Sequence, residues 1–179
     1  MAKIGIILGS IREGRSGEAI ANWVKEIADK RESGVEYELL DLKSFNVPLL
    51  ESATVPGMAN GQYDNANVQA WADAIKSCDG FIFVTPEYNH SVPGPFKNAF
   101  DSIAEWQGKT VAFIGYGFSG GVRAVEAWRL AVANFSMHQI RAQVEVNLIT
   151  DMTDGEFTPA DFKAGLVDSI LAAVEAAVK

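Results

Sequence analysis

Lys3-Ile4-Gly5-Ile6-Ile7-Leu8, followed at once by Gly9-Ser10-Ile11-Arg12-Glu13-Gly14-Arg15-Ser16, is the stretch on which the fold turns. Its first part is an unbroken apolar run, as expected of a strand buried on both faces. Its second part carries too much glycine and charge to prolong a strand. From residue 17 to residue 30 the apolar positions Ala19/Ile20, Trp23/Val24 and Ile27/Ala28 recur at helical spacing, while Glu18, Lys25, Glu26, Asp29 and Lys30 lie mostly off that stripe. A buried strand, a glycine-bearing loop and an amphipathic helix open a β-α-β unit.

Working outward, compact apolar runs rich in branched residues predict further strands over 35–42, 80–85, 110–114 and 143–148. Helical spacing predicts helices over 68–76, 95–105, 122–137 and 159–178. Strands alternating with helices of this length must pair in parallel through right-handed crossovers, because no tight turn can join parallel neighbours. The expected fold is a three-layer α/β/α sandwich, a single domain over 1–179. Only 47–69, with Pro48, Pro56, Gly57, Asn60, Gly61, Asp64, Asn65 and Asn67, reads as a long irregular connection, a feature expected to serve function or an interface.

The chain has 179 residues, 48% of them hydrophobic, with 15 Lys+Arg against 23 Asp+Glu and a net charge of -8. That balance argues against nucleic acid or an anionic membrane surface as partner. No apolar run approaches the roughly 20 residues of a membrane span. The short apolar run at 4–9, with no small-residue cleavage site after it, leads to the expectation of no signal peptide. A lone Cys78 forms no intramolecular disulfide and anchors no cysteine cluster. A cytoplasmic location is expected, and no metal-ligand spacing is visible.

An open five-stranded sheet of order 2-1-3-4-5 binds ligands where the order reverses, between its first and third strands. The loops after strands one, three and four would line that crevice. The first, 9–16, joins two glycines, two hydroxyls and two guanidinium groups to a helix amino terminus, which is the chemistry of a phosphate site. The competing reading has Ser16 merely capping the helix with both arginines in solvent. The loop is close to a P-loop, but Arg15 stands where that motif needs lysine, and the third strand ends in Thr85-Pro86 without a metal-binding aspartate. Gly115, Gly117 and Gly120 match G-x-G-x-x-G literally, yet 137–141 lacks the acid that a dinucleotide site requires. In the loop after strand three, Pro86, Pro93 and Pro95 fix the presentation of Glu87, Tyr88, Asn89 and His90. His90 reads as a surface histidine and Trp106 as core packing. Neither histidine has a serine or cysteine partner at a recognisable spacing, so a bound cofactor is expected to carry any chemistry.

Gly9-Ser10-x-Arg12, then Thr85-Pro86-Glu87-Tyr88-Asn89-His90-Ser91-x-Pro93-Gly94-x-x-Lys97-Asn98-x-x-Asp101, then Gly108-Lys109-x-Val111 with Gly120-Gly121, resemble the NADPH-dependent FMN reductase family of quinone, chromate and azo-dye reductases. The similarity runs from residue 3 to about residue 148 in the order of that family. It implies a flavodoxin-like fold, bound FMN, NADPH or NADH as co-substrate, a small electron acceptor such as a quinone, and a homodimer or homotetramer. Residue by residue, it implies that Ser10, Arg12, Arg15, Ser16 and the backbone at Gly17 hold the FMN phosphate. Pro86, Glu87, Tyr88 and Asn89 would lie against the ring, and Gly115, Tyr116 and Gly117 would form the third loop. Many members have Ser-Phe-Asn in the phosphate loop, where this chain has Arg15-Ser16-Gly17-Glu18. The resemblance implies hydride transfer from the nicotinamide to the flavin and on to the acceptor, with no catalytic side chain. The alternative is an FMN electron carrier of flavodoxin type with no NAD(P)H activity of its own.

Overall fold

A computed structural model describes residues 1–178. Strand β1 (Lys3–Leu8) is followed by α1 (Gly17–Asp29), β2 (Glu36–Asp41), a single turn α2 (Leu42–Phe45), α3 (Ala66–Lys76) and β3 (Gly80–Pro86). Then come α4 (Gly94–Asp101), β4 (Thr110–Gly117), α5 (Val122–Ala133), β5 (His138–Asn147), the two-residue strands β6 (Met152–Thr153) and β7 (Glu156–Phe157), and α6 (Phe162–Val178). The main sheet has the order β2-β1-β3-β4-β5 with every pairing parallel, as the alternation of strand and helix requires. β6 and β7 form a separate antiparallel hairpin.

The alternation of side chains along each strand sorts two chemically different cores. On β3, Phe81 and Phe83 enter a cluster with Trp71, Phe96, Phe100, Trp106 and Trp128 under α3, α4 and α5. Ile82 and Val84 enter an aliphatic cluster with Ile20, Val24, Ile170, Leu171 and Val174 under α1 and α6. Trp106 is fully buried, with its indole N–H donating to the carbonyl of Phe100 at 3.0 Å.

Most boundaries differ from the sequence reading for local reasons. Helix α3 begins at Ala66, because the Asn65 side chain accepts from the amides of Asn67 and Val68. Strand β5 begins at His138, five residues before the apolar run. Its register against β4 jumps between Val111 and Phe113, which are paired with Gln139 and Gln143, so an irregular segment breaks the apolar pattern. Arg129 clamps that segment by donating to the carbonyls of Ile140 and Arg141. Helix α5 stops at Ala133, short of residue 137. The connection between α2 and α3 carries one 3₁₀ turn at Pro56–Met58, and Asn98 of α4 ties it down by accepting from the amide of Leu50 and donating to the carbonyl of Pro48.

Candidate functional site

The carboxyl ends of β1, β3 and β4 meet at the reversal of strand order, and three loops gather there. Gly9 extends β1 by donating its amide to the carbonyl of Val84 at 3.0 Å. A Cβ at Gly9 would stand 2.3 Å from the Phe96 ring, so the chain can pass here only as glycine. Ser10 is buried, and its hydroxyl shares a 2.9 Å hydrogen bond with the phenol of Tyr88, joining the first loop to the second across the crevice. Residues 11–14, Arg12 among them, are exposed.

Arg15 faces inward. It donates to the carbonyl of Ser10 at 2.6 Å and makes a two-pronged pair with Asp41 at 2.7 and 2.6 Å. Only 8% of its side chain is exposed, and the hydrogen bond to Asp41 raises its already high pKa further. The guanidinium therefore braces the loop onto the end of β2. Ser16 already has helical dihedrals and its hydroxyl makes no capping bond, so the cap-only reading is not what the chain adopts. Among the described residues, the amides of Ser16 and Gly17 find no acceptor. The α1 amino terminus is thus an uncapped concentration of N–H groups and positive dipole.

In the second loop, Tyr88 and Ser91 exchange both backbone hydrogen bonds, at 3.0 and 3.1 Å. Asn89 and His90 span the intervening turn with φ of 47° and 72°. This is a two-residue turn of type I′, which needs positive φ at both positions. The amide of Glu87 is taken by the carbonyl of Tyr116 at 3.0 Å, that of Tyr88 by Ser91, and Pro86 has none. At the tip, the amides of Asn89 and His90 are without an acceptor among the described residues. The Glu87 carboxylate accepts from the backbone amide of Arg123 at 3.1 Å and from its guanidinium at 2.7 Å. Its side chain serves the start of α5 and not the crevice.

That contact explains the third loop. Gly120 and Gly121 have φ of 70° and 72°, and a Cβ on Gly121 would stand 2.3 Å from the Tyr116 amide nitrogen. The glycines let the loop fold back on β4, while the amino terminus of α5 that a dinucleotide would use holds Glu87 instead. Gly115 and Gly117 complete this close packing, and the Gly117 carbonyl accepts from the amides of Gly120 and Leu148. Tyr116, next to them, points to the α1 side. It is 4% exposed, and its hydroxyl sits so close to Gly17 that a Cβ there would stand 2.3 Å away.

The structure brings Ser10, Gly17, Tyr88 and Tyr116 together and turns the charged groups of Arg15 and Glu87 to internal partners. Sequence reasoning missed Asp41, whose only signal was an acid at the end of the neighbouring strand, and the free amide of His90. A separate concavity of about 340 Å³ lies within the long connection, between Pro48, Leu50, Tyr63, Val68 and Ser102. None of its lining residues belongs to the three loops. No group of three metal-ligating side chains occurs among the described residues, and no helix there is long and apolar enough to cross a membrane.

The sequence profile of the family described as NADPH-dependent FMN reductase matches residues 2–151. An NAD(P)H-dependent FMN reductase of Nectria sp is 42% identical over 128 residues, covering 69% of this chain and 64% of the relative. An NAD(P)H:quinone oxidoreductase of Solanum tuberosum is 34% identical over 125 residues, 66% of this chain and 61% of the relative. The chain thus matches less than two thirds of the length of either protein. Among solved structures, the flavoenzyme NAD(P)H:(acceptor) oxidoreductase FerB of Paracoccus denitrificans superposes with a TM-score of 0.76 at 23% identity, over 98% of both chains, a likeness of fold.

Proposed function

The chain belongs to the NADPH-dependent FMN reductase family, and from that premise we propose that it is an FMN-dependent oxidoreductase carrying reducing equivalents from NAD(P)H to a small quinone-like acceptor. The observation that carries the reading is the uncapped amino terminus of α1, opening at the reversal of strand order with two bare amides and arginines on its loop. An anion is what such an end attracts. A flavin mononucleotide fits, because the tip of the second loop offers two further bare amides for a ring, while the amides of Glu87, Tyr88 and Ser91 are satisfied internally.

When bound, FMN supplies a ring that accepts hydride from a nicotinamide and returns electrons to an acceptor. The chain's own contribution is placement. Ser16 and Gly17 offer amides to the phosphate, Arg12 offers charge from the exposed side, and Ser10 offers its hydroxyl. Arg15 keeps the loop in register through Asp41. Amides of Asn89 and His90 would favour negative charge developing at the edge of a ring, since the rigid turn has oriented them in advance. Pro86, Glu87 and Tyr88 shape that turn, and Gly115, Tyr116 and Gly117 form the opposite wall. Self-association into a dimer or tetramer belongs to the proposal. It is supported by exposed Val55, Met58 and Leu130 on the side of the molecule bearing the 3₁₀ turn and α5. So does a cytoplasmic site of action, with which Cys78, buried as a free thiol, is compatible.

The test is optical. Purified protein supplied with FMN is expected to be yellow, to bleach with NADPH in the absence of oxygen, and to regain colour with a quinone. Protein that retains FMN but does not consume NADPH would be an electron carrier instead, and protein that takes up no FMN would overturn the reading.

A further inference from the structure

Tyr116 poses a physical question that packing alone does not answer. Its hydroxyl is the one buried side-chain polar atom among the described residues that lacks a hydrogen-bond partner. Leaving a hydroxyl buried and unpaired is destabilising, and phenylalanine would fill the same space without that cost. The neighbouring buried polar groups are satisfied: Thr85 accepts from the Trp128 indole N–H at 2.9 Å, and Ser10 shares its bond with Tyr88. Orphaned buried groups call for an explanation at the place they point to. This one points at Gly17, the first residue of α1, where the chain also leaves amide donors bare. Burial holds the phenol's pKa well above the usual range, while the nearby Ser10 hydroxyl, already bonded to Tyr88, and the charges of Arg15 and Arg12 act the other way.

We propose that the Tyr116 hydroxyl is a donor reserved for the anion bound at the α1 amino terminus, and that it makes the site select a phosphorylated flavin over its unphosphorylated form. The proposal rests on the flavin reading above and adds a residue and a selectivity to it. Gly17 is the complementary device: lacking a Cβ, it leaves the hydroxyl at the helix end, where any other residue would push it away. The bare amides and the phenol together give a phosphate several neutral donors in a buried setting, where each hydrogen bond to a charged oxygen is worth more than in water. A flavin without phosphate gains nothing from them.

The experiment compares flavin-free wild type with Tyr116→Phe. FMN and riboflavin dissociation constants are read from quenching of flavin fluorescence, and urea midpoints are read with and without millimolar inorganic phosphate. The variant is expected to bind FMN about 10- to 100-fold more weakly, the loss of one hydrogen bond to a charged group. Its riboflavin affinity is expected to be unchanged. Without ligand it is expected to be at least as resistant to urea as the wild type, and phosphate is expected to stabilise it less. Equal FMN affinity in the two proteins, a parallel loss of riboflavin, or a lower midpoint without ligand would overturn the proposal and leave the flavin reading standing. A wild type that binds neither flavin would overturn the flavin reading. Protection by inorganic phosphate that depends on Tyr116 would even then retain the hydroxyl as an anion donor.

Discussion

Arg15 and Asp41 meet in a two-pronged ion pair, 2.7 and 2.6 Å long, that fastens the loop after β1 to the end of β2. One guanidinium nitrogen is shared with the carbonyl of Ser10, so the pair also fixes the loop's first turn. The charge a sequence reader assigns to a ligand is spent on holding the loop that receives it.

Asp41→Asn tests this bracing. Asparagine can keep the bond that Asp41 accepts from the amide of Lys43 at the start of α2, so the change isolates the charge pair. The expected loss of stability without ligand is about 1.5 to 3 kcal/mol, that of a hydrogen bond to a charged group. FMN affinity should fall with it, although Asp41, at the end of β2, belongs to none of the three loops. Urea denaturation and flavin titration measure the two effects.

Gly17→Ala should be costly for a residue at a helix start, where alanine is ordinarily harmless. The new methyl would stand 2.3 Å from the Tyr116 hydroxyl and 2.9 Å from Leu8. Overpacking of this kind costs about 1 to 3 kcal/mol. The check is the urea midpoint of the flavin-free variant.

Glu87→Ala separates two roles for an acid in the Pro-Glu-Tyr-Asn segment. Its carboxylate caps α5 and pairs with Arg123, so stability should drop by about 1 kcal/mol, the usual worth of a helix cap. Flavin affinity should hold. A large loss of FMN binding with unaltered stability would assign the carboxylate to the ligand instead.

Acid should expose a different weak point, far from the crevice. Glu175 on α6 is 4% exposed and accepts from Arg31 and from the Tyr37 phenol, and its pKa is lowered to about 2, chiefly by Arg31. A carboxyl whose pKa is lower folded than unfolded binds fewer protons in the folded state. Its contribution is complete above about pH 5 and is lost as pH falls towards 2. Urea midpoints of the wild type should therefore fall across that window, and those of Glu175→Gln should fall less steeply from a lower starting value.

The sheet order and the three converging loops were legible because buried parallel strands leave plain apolar runs and because glycine, proline and arginine gather at their ends. Strand β5 was legible only in its second half, since residues 138–142 form an irregular segment held by Arg129 and carry no period. Within the site, loop membership could be read and side-chain direction could not. Arg12 and Arg15 look alike along the chain, yet a partner 26 residues away turns one of them inward. His90 offers the crevice a bare amide through its dihedral, a property its side chain does not announce. The G-x-G-x-x-G lookalike is undone by Glu87, which sits close to Gly117 only in the folded chain.

The division of the sheet's two faces into aromatic and aliphatic cores has an optical consequence. Trp71, Trp106 and Trp128 all lie in the dry aromatic core, linked through Phe83, Phe96 and Phe100, whereas Trp23 stands alone on the α1 face, edge-on to Phe157. The chain thus carries a separate emitter on each side of its sheet. Replacing Trp23 by phenylalanine leaves a protein whose indole fluorescence watches one layer only, so loosening of α1 and α6 can be told from loosening of α3, α4 and α5 without any added label.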